Sequence, residues 1–278
     1  MTGDPPVKPL DLYNFTVETF YSIDTPVTAE SSPYDFLRLD MPYAAGDKQG
    51  WPDASFTYVT DPRTKFPRPR IVELAGGISF AAANDLLRAR HWVDNIAALS
   101  CKSLQYAAFQ EYGPVPGGSD GTLGYYDETT SEVLALTPKL MSWRESGSVF
   151  CGGAHPTNYS DAFVMDVAAG RLLSLGDMFA DVTEDGVPGE ALVKFVRETR
   201  EKPTDQVDVD FEAECGTDDL IAQYLNASLK REGDELRMVF GLSGLPHVIQ
   251  ACGDDFLELP VADAQHLFRP EFAALLAK

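Results

Sequence analysis

The sequence predicts an α+β protein of mostly antiparallel sheets with flanking helices. Some segments alternate apolar and polar residues at the two-residue period of a half-buried strand, while others repeat apolar residues at helical spacing. The two kinds come in clusters and not in strict βα alternation, which disfavours a doubly wound parallel sheet.

From the N-terminus, Asp11 to Tyr21 puts Tyr13, Phe15, Val17, Thr19 and Tyr21 on one side of a strand, and Tyr34 to Met41 is a second candidate. Pro42 to Pro69, rich in Pro, Asp and Gly, reads as a long irregular connection with one short strand at Ser55 to Val59. The clearest helix follows. Ser79 stands as its cap, and Ala82, Leu86, Leu87, Ala89, Val93, Ile96, Ala97 and Leu99 carry it to Ser100-Cys101. His91 within it is read as a surface or satisfied core residue.

Lys102 to Tyr112 then reads as a strand, Gly113 to Gly124 as a loop and Glu132 to Trp143 as another strand. Tyr159 to Val167 and Arg171 to Leu175 flank a short turn closing at Gly170, where a positive φ is expected. Glu190 to Lys202 and Thr217 to Lys230 read as amphipathic helices, the second capped by Thr217. Glu235 to Leu242 and Phe256 to Pro260 complete the strands, before a short helix around Ala262 to Leu267.

Composition narrows the partners. With 22 Lys and Arg against 43 Asp and Glu, the formal charge of −21 is the wrong sign for a phosphate backbone or an anionic membrane. Nucleic acid is therefore excluded as a partner, and acidity serves solubility or attracts a cationic protein. No run approaches the roughly 18 to 20 apolar residues of a transmembrane segment. The opening Met1-Thr2-Gly3-Asp4-Pro5-Pro6 lacks the flanks of a signal peptide and resembles what remains after a signal or lipoprotein anchor is removed.

Cys101, Cys151, Cys215 and Cys252 are even in number and form no C-x-x-C pair, so two structural disulfides are expected over four buried thiols. Of three possible pairings, Cys101–Cys151 with Cys215–Cys252 is favoured, because each pair lies in one half of the chain. Such bridges imply an oxidising compartment.

Motifs of catalysis do not emerge. There is no phosphate loop, dinucleotide fingerprint or H-E-x-x-H helix. Gly241-Leu242-Ser243-Gly244-Leu245 misplaces the second glycine of a nucleophile elbow and reads as a loop. Asp181 to Gly186 imitates a calcium loop, but Leu192 stands where the bidentate glutamate belongs. Asp205, Asp208, Asp210, Glu212 and Glu214 read as a solvated acidic face. No metal or cofactor is expected. The segment with the most defined chemistry is Cys151-Gly152-Gly153-Ala154-His155-Pro156, where two glycines and a proline would hold the His155 imidazole on a tight turn.

That turn, followed by a strand ending in Asp166, a turn closing at Gly170, then Leu173, Leu175, Asp177 and Phe179, resembles the signature of the bacterial PdaC/RsiV-like domains of unknown function. Cys252-Gly253 followed by Phe256-Leu257-Glu258-Leu259-Pro260 and Leu267 resembles their closing strand and helix. The resemblance implies a PdaC-like subdomain over 34–157 interlocking with an RsiV-like subdomain over 158–278, after an extension over 1–33 with one strand. It implies a periplasmic or extracellular location, as a secreted protein or a lipoprotein, and a binding or sensing role without catalytic machinery. The partner would be a cationic protein such as lysozyme or a cell-wall glycan, met through His155, Gly152, Gly153, Asn158 and Asp166. The alternative is a hydrolase of envelope polysaccharide, with His155 and Asp161 or Asp166 as its acid/base pair.

Overall fold

Three antiparallel sheets and several flanking helices make up the part of the chain that the computed structural model describes, residues 43–61, 64–112, 129–149, 157–200, 210, 213–253 and 255–277. The fold is α+β, as the clustered periodicities predict. Strands β1 (Ala44–Trp51), β2 (Ala54–Thr60) and β3 (Pro67–Leu74) form the first sheet in that order. Helix α1 (Ala81–Tyr112) follows. The second sheet runs β4 (Thr130–Leu136), β5 (Leu140–Val149), β6 (Thr157–Asp166) and β7 (Arg171–Leu173). After helices α2 (Leu175–Met178), α3 (Glu190–Thr199) and α4 (Thr217–Tyr224) come β8 (Leu225–Glu232), β9 (Glu235–Leu242) and β10 (Asp255–Pro260), which form the third sheet in the order β10-β9-β8. Helices α5 (Val261–Ala264) and α6 (Pro270–Leu276) close the chain.

The four-stranded sheet is buried on both faces, because neighbouring residues of its strands enter different cores. Ala135, Leu140, Val164 and Leu173 join Phe179, Leu192, Ile221, Leu229, Phe240 and Phe272 beneath the third sheet and the C-terminal helices. Their neighbours Leu136, Met141, Trp143 and Met165 join Phe56, Ile71, Ala83 and Leu87 beneath the first sheet and α1. The two-residue period alone makes this partition. The sheet also carries strands from both sides of residue 157, where the subdomain boundary is expected.

Several elements differ from the sequence expectations for identifiable reasons. Pro42 to Pro69 is mostly ordered sheet instead of an irregular connection. Its prolines Pro67 and Pro69 are tolerated because β3 is an edge strand, while the central β2 has none. The expected strand at Ser55 to Val59 lies within β2. Lys102 to Tyr112 extends α1 and is not a strand, consistent with a stretch rich in Ala, Gln, Leu and Lys and free of β-branched residues. The helix starts at Ala81, so Phe80 and not Ser79 holds the cap position, its carbonyl accepting from the Asn84 N–H at 3.0 Å.

Glu132 to Trp143 is split into β4 and β5 by a turn over Thr137-Pro138-Lys139, closed by Thr137 N–H to Leu140 O at 2.8 Å. The expected helix from Thr217 to Lys230 ends at Tyr224, and Gly216 is its cap. Leu220, Ile221, Tyr224, Leu225 and Leu229 continue a helical spacing, but Leu225, Ala227 and Leu229 also alternate. Pairing with β9 across a two-residue Gly233-Asp234 turn selects the strand, Gly233 taking φ +60°. The expected hairpin at Gly170, the helix from Glu190, the strands at Glu235 to Leu242 and Phe256 to Pro260, and the short helix near Ala262 are all present. The candidates at Asp11 to Tyr21, Tyr34 to Met41 and Gly113 to Gly124 lie outside the described residues.

Gly170 at φ +60° packs against the first turn of α1, and a Cβ there would lie 2.5 Å from the Ala82 carbonyl carbon. Gly186, at φ +81°, faces open space. Gly170→Ala is expected to lower stability by about 2 kcal/mol or more, since backbone conflict adds to the cost of a left-handed alanine. Gly186→Ala carries only the conformational part, on the order of 1 kcal/mol. Denaturant midpoints of the two variants provide the comparison.

Candidate functional site

Alternation along β5 and β6 gives the strand pair two unlike polar surfaces, one on each face. On the face toward the third sheet, Ser142, Arg144, Asn158, Ser160 and Ala162 succeed one another at the two-residue period. On the other, under α1, stand Trp143, Glu145, Tyr159, Asp161 and Phe163.

The first surface forms the wall of a cavity of about 310 Å³ between the second and third sheets. Asn158, Ser160 and Arg144 meet Asn226 and Ser228 of β8, Ser243 and Gly244 of the loop after β9, and Gln250 of the 3₁₀ turn His247–Cys252. Ser142 Oγ accepts the outward Leu229 N–H of the β8 edge at 3.1 Å, and Asn226 Nδ2 donates to Ala162 O at 3.1 Å. These two bonds seat β8 across the sheet face and leave its polar groups satisfied. Arg144 reaches across the cavity to an ion pair with Asp255 at the start of β10. Gln250 Oε1 accepts from the Asn158 N–H at 3.2 Å. The Cys215–Cys252 disulfide, formed as expected, ends that 3₁₀ turn and ties it to the start of α4.

The second surface is a charged network. Glu145 accepts from Trp143 Nε1 at 2.7 Å and from Arg90 at 2.9 Å, and Arg68 lies 3.6 Å away. Arg68 Nε also donates to Asp94 at 2.9 Å, and the Arg90 guanidinium lies 4.1 Å from the Phe163 ring centroid. Burial pushes Glu145 up, but Arg68, Arg90 and the hydrogen bonds outweigh it and hold the carboxyl below its ordinary value. Burial, with Glu145 nearby, raises Asp94 and Asp161 instead, against the pull of the arginines.

The expected site residues fall in different places. Gly152, Gly153 and His155, with Cys151 and hence the Cys101–Cys151 pair, lie outside the described residues. Asn158 stands at the cavity, whereas Asp166 sits at the far end of β6, about 26 Å away at 3.3 Å per residue, where its carboxylate accepts the Ala169 N–H at 3.1 Å and anchors the Gly170 turn. Asp161 lines the cavity through its backbone, while its side chain belongs to the Glu145 face. Asp181, suspected as part of a calcium mimic, instead accepts the Ala191 and Leu192 N–H groups at 2.7 and 3.1 Å and caps α3. Among the described residues, no three His, Cys, Asp or Glu side chains gather as metal ligands, and no helix is long and apolar enough to cross a membrane.

Sequence reading missed Arg144, Asn226 and Gln250, which three separate segments bring together. One signal was available: Arg144-Glu145 is a charged pair directly after Trp143 inside a strand, and a charge so placed needs a partner on each face.

No family model matches the sequence, and no curated protein matches it. The chain is similar to a crystal structure of a member of the DUF3298 family from Bacteroides fragilis, with 12% identity over 86% of this chain and 97% of that one and a TM-score of 0.46. At that identity and score the likeness transfers neither fold nor activity.

Glu145→Gln is expected to cost about 2–3 kcal/mol at neutral pH, because the half-buried Arg90 loses its charged hydrogen-bond partner and the buried Arg68 loses one of its two carboxylates. Since the folded-state value of Glu145 is depressed, its contribution is complete above the ordinary carboxylate range and disappears as pH falls through the lower folded value. The raised Asp94 and Asp161 work in the opposite direction and gain stability as they protonate. Acid titration of unfolding should therefore show a smaller loss below about pH 4 in the variant. For the bridge, Cys215→Ser with Cys252→Ser is expected to lose about 4 kcal/mol, the order set by a loop of 37 residues, measurable as a drop in denaturation midpoint.

Proposed function

We propose that this chain is a non-catalytic binding domain of the cell envelope, acting outside the cytoplasm, and that its ligand is an envelope glycan held in the cavity between the second and third sheets. The supporting observation is the cavity wall itself. The side chains of Asn158, Ser160, Ser228 and Ser243 present amide and hydroxyl donors and acceptors to the cavity, beside one Arg144–Asp255 pair. A saccharide presents hydroxyl groups that also donate and accept, so uncharged amides and hydroxyls match it better than a charged or apolar wall would. The volume of about 310 Å³ falls at the lower end of the range for small-molecule sites.

The disulfide supports an oxidising compartment. The resemblance of Cys151 to Phe268 to PdaC/RsiV-like domains supports the same placing. His155 lies outside the described residues, two positions before β6 begins at Thr157, and is kept as a candidate contact on that proximity in sequence alone. A polysaccharide hydrolase would need an acid/base pair at the ligand, whereas the Asp161 side chain is on the opposite face and Asp255 is engaged by Arg144. The charge of −21 favours a second reading, a cationic protein partner such as lysozyme, whose binding would fade with salt.

Titration calorimetry with di- and tetrasaccharide fragments of cell-wall glycan is the test, with lysozyme and an unrelated basic protein run at low and high salt. Saturable glycan binding that persists in salt is expected. Asn158→Ala should weaken it by about 3- to 10-fold, the value of one hydrogen bond, while the denaturation midpoint stays within about 0.5 kcal/mol. Absence of glycan binding, or binding indifferent to Asn158, would sink this reading. Salt-resistant affinity for lysozyme over the basic control would replace it with the protein-partner reading.

A further inference from the structure

Two arginines on one strand are treated in opposite ways. Arg68 and Arg70 stand two residues apart on β3 and both meet α1. The face of α1 that crosses them carries Asn84, Arg88, His91 and Asn95 at helical spacing. The Asn84 side chain bonds both Ile71 N–H and Ile71 O, at 2.8 and 2.9 Å, and closes the open edge of β3. Arg68 lands on Asp94 and Glu145 and is balanced.

Arg70 meets no carboxylate among the described residues. Its guanidinium donates to Pro69 O at 2.8 Å, contacts His91 Nδ1 at 3.2 Å and lies 5.5 Å from the Tyr43 ring centroid, while Tyr43 and His91 stack with centroids 4.5 Å apart. Because Arg70 is a permanent donor, His91 Nδ1 accepts, which fits a neutral imidazole and adds no negative charge. Burial pushes Arg70 down to about 10, helped by Arg88 and Arg68 and opposed by Tyr43. A cation removed from water without a counter-charge is costly, and the cost is relieved by an anion that fits the planar fork.

We infer that Arg70, with Tyr43 and His91 as its support, is the anchor of a carboxylate-binding site at the β3 edge, separate from the glycan cavity. A carboxylate fits better than a phosphate. The site supplies one half-buried guanidinium backed by an imidazole, on a chain of charge −21 that disfavours doubly charged ligands. Neighbouring Arg88, itself half exposed, is engaged by Asp85 at 3.1 Å. Arg rather than Lys matters because its fork receives both carboxylate oxygens.

The test follows the guanidinium Nε resonance of Arg70 in the full wild-type chain at constant ionic strength, with acetate, N-acetylglycine, N-acetylglycinamide and inorganic phosphate as probes. Acetate and N-acetylglycine should shift it saturably, with a dissociation constant on the order of millimolar, and the amide should not. Preference for N-acetylglycine over acetate would identify a peptide C-terminus as the source of the carboxylate, and equal binding a small organic acid. In thermal unfolding, Arg70→Lys should weaken the acetate-dependent rise in midpoint about tenfold. Arg70→Gln should abolish that rise. A linear drift shared by all arginines would overturn the site, as would stronger binding of phosphate or an acetate response retained in Arg70→Gln. The wild-type resonance decides even if a variant fails to fold.

Discussion

Everything described hangs on a four-stranded sheet whose apolar end packs against a core on each face. A strand pair buried on both sides has to satisfy two environments with alternate residues, so a shift of one residue in register would exchange them wholesale. Leu140 and Met141, Val164 and Met165, and Leu172 and Leu173 are each split between two cores in this way. Register is therefore set by both cores together, and the first and third sheets are placed by the faces they cover.

Polar chemistry enters where the apolar pairs run out. Toward the open end of β5 and β6, Trp143 gives way to Arg144 and Glu145, and Phe163 to Asp161 and Tyr159. Each charge then takes the partner available on its own face. Arg144 finds Asp255 of β10 across the cavity, whereas Glu145 finds Arg68 and Arg90 under α1. The same strands thus hold the polar wall of the cavity and a charged network back to back, and the network supports the wall from behind.

Helix α1 shows the same economy on a different period. Ala83 and Leu87 pack into the core, and the stripe continues at helical spacing into Arg90 and Asp94 where it crosses Glu145. The adjacent stripe, Asn84 to Asn95, follows the edge of β3 and stands in for a missing strand. One helix thus serves two sheets, its Arg90 stripe meeting Glu145 of β5 and its Asn84 stripe the edge of β3.

The sequence by itself determined the α+β class, the Gly170 hairpin, the helix from Glu190 and the late strands, each of which depends on a short-range pattern such as alternation or a glycine at positive φ. It favoured the Cys215–Cys252 bridge among three pairings, and the structure selected it. It misread Thr217 to Lys230, where helical and strand periods are both satisfied, and only pairing with β9 selects the strand from Leu225. It misread Lys102 to Tyr112, a stretch free of β-branched residues that continues the helix. Asn158 was legible as a residue beside a constrained turn, but the cavity was not, because Arg144, Asn226, Gln250 and Asp255 lie up to 111 residues apart. Only tertiary structure, by folding two sheets face to face, decides which polar side chains converge, and by alternation which of two neighbours in a strand faces the cavity and which faces α1.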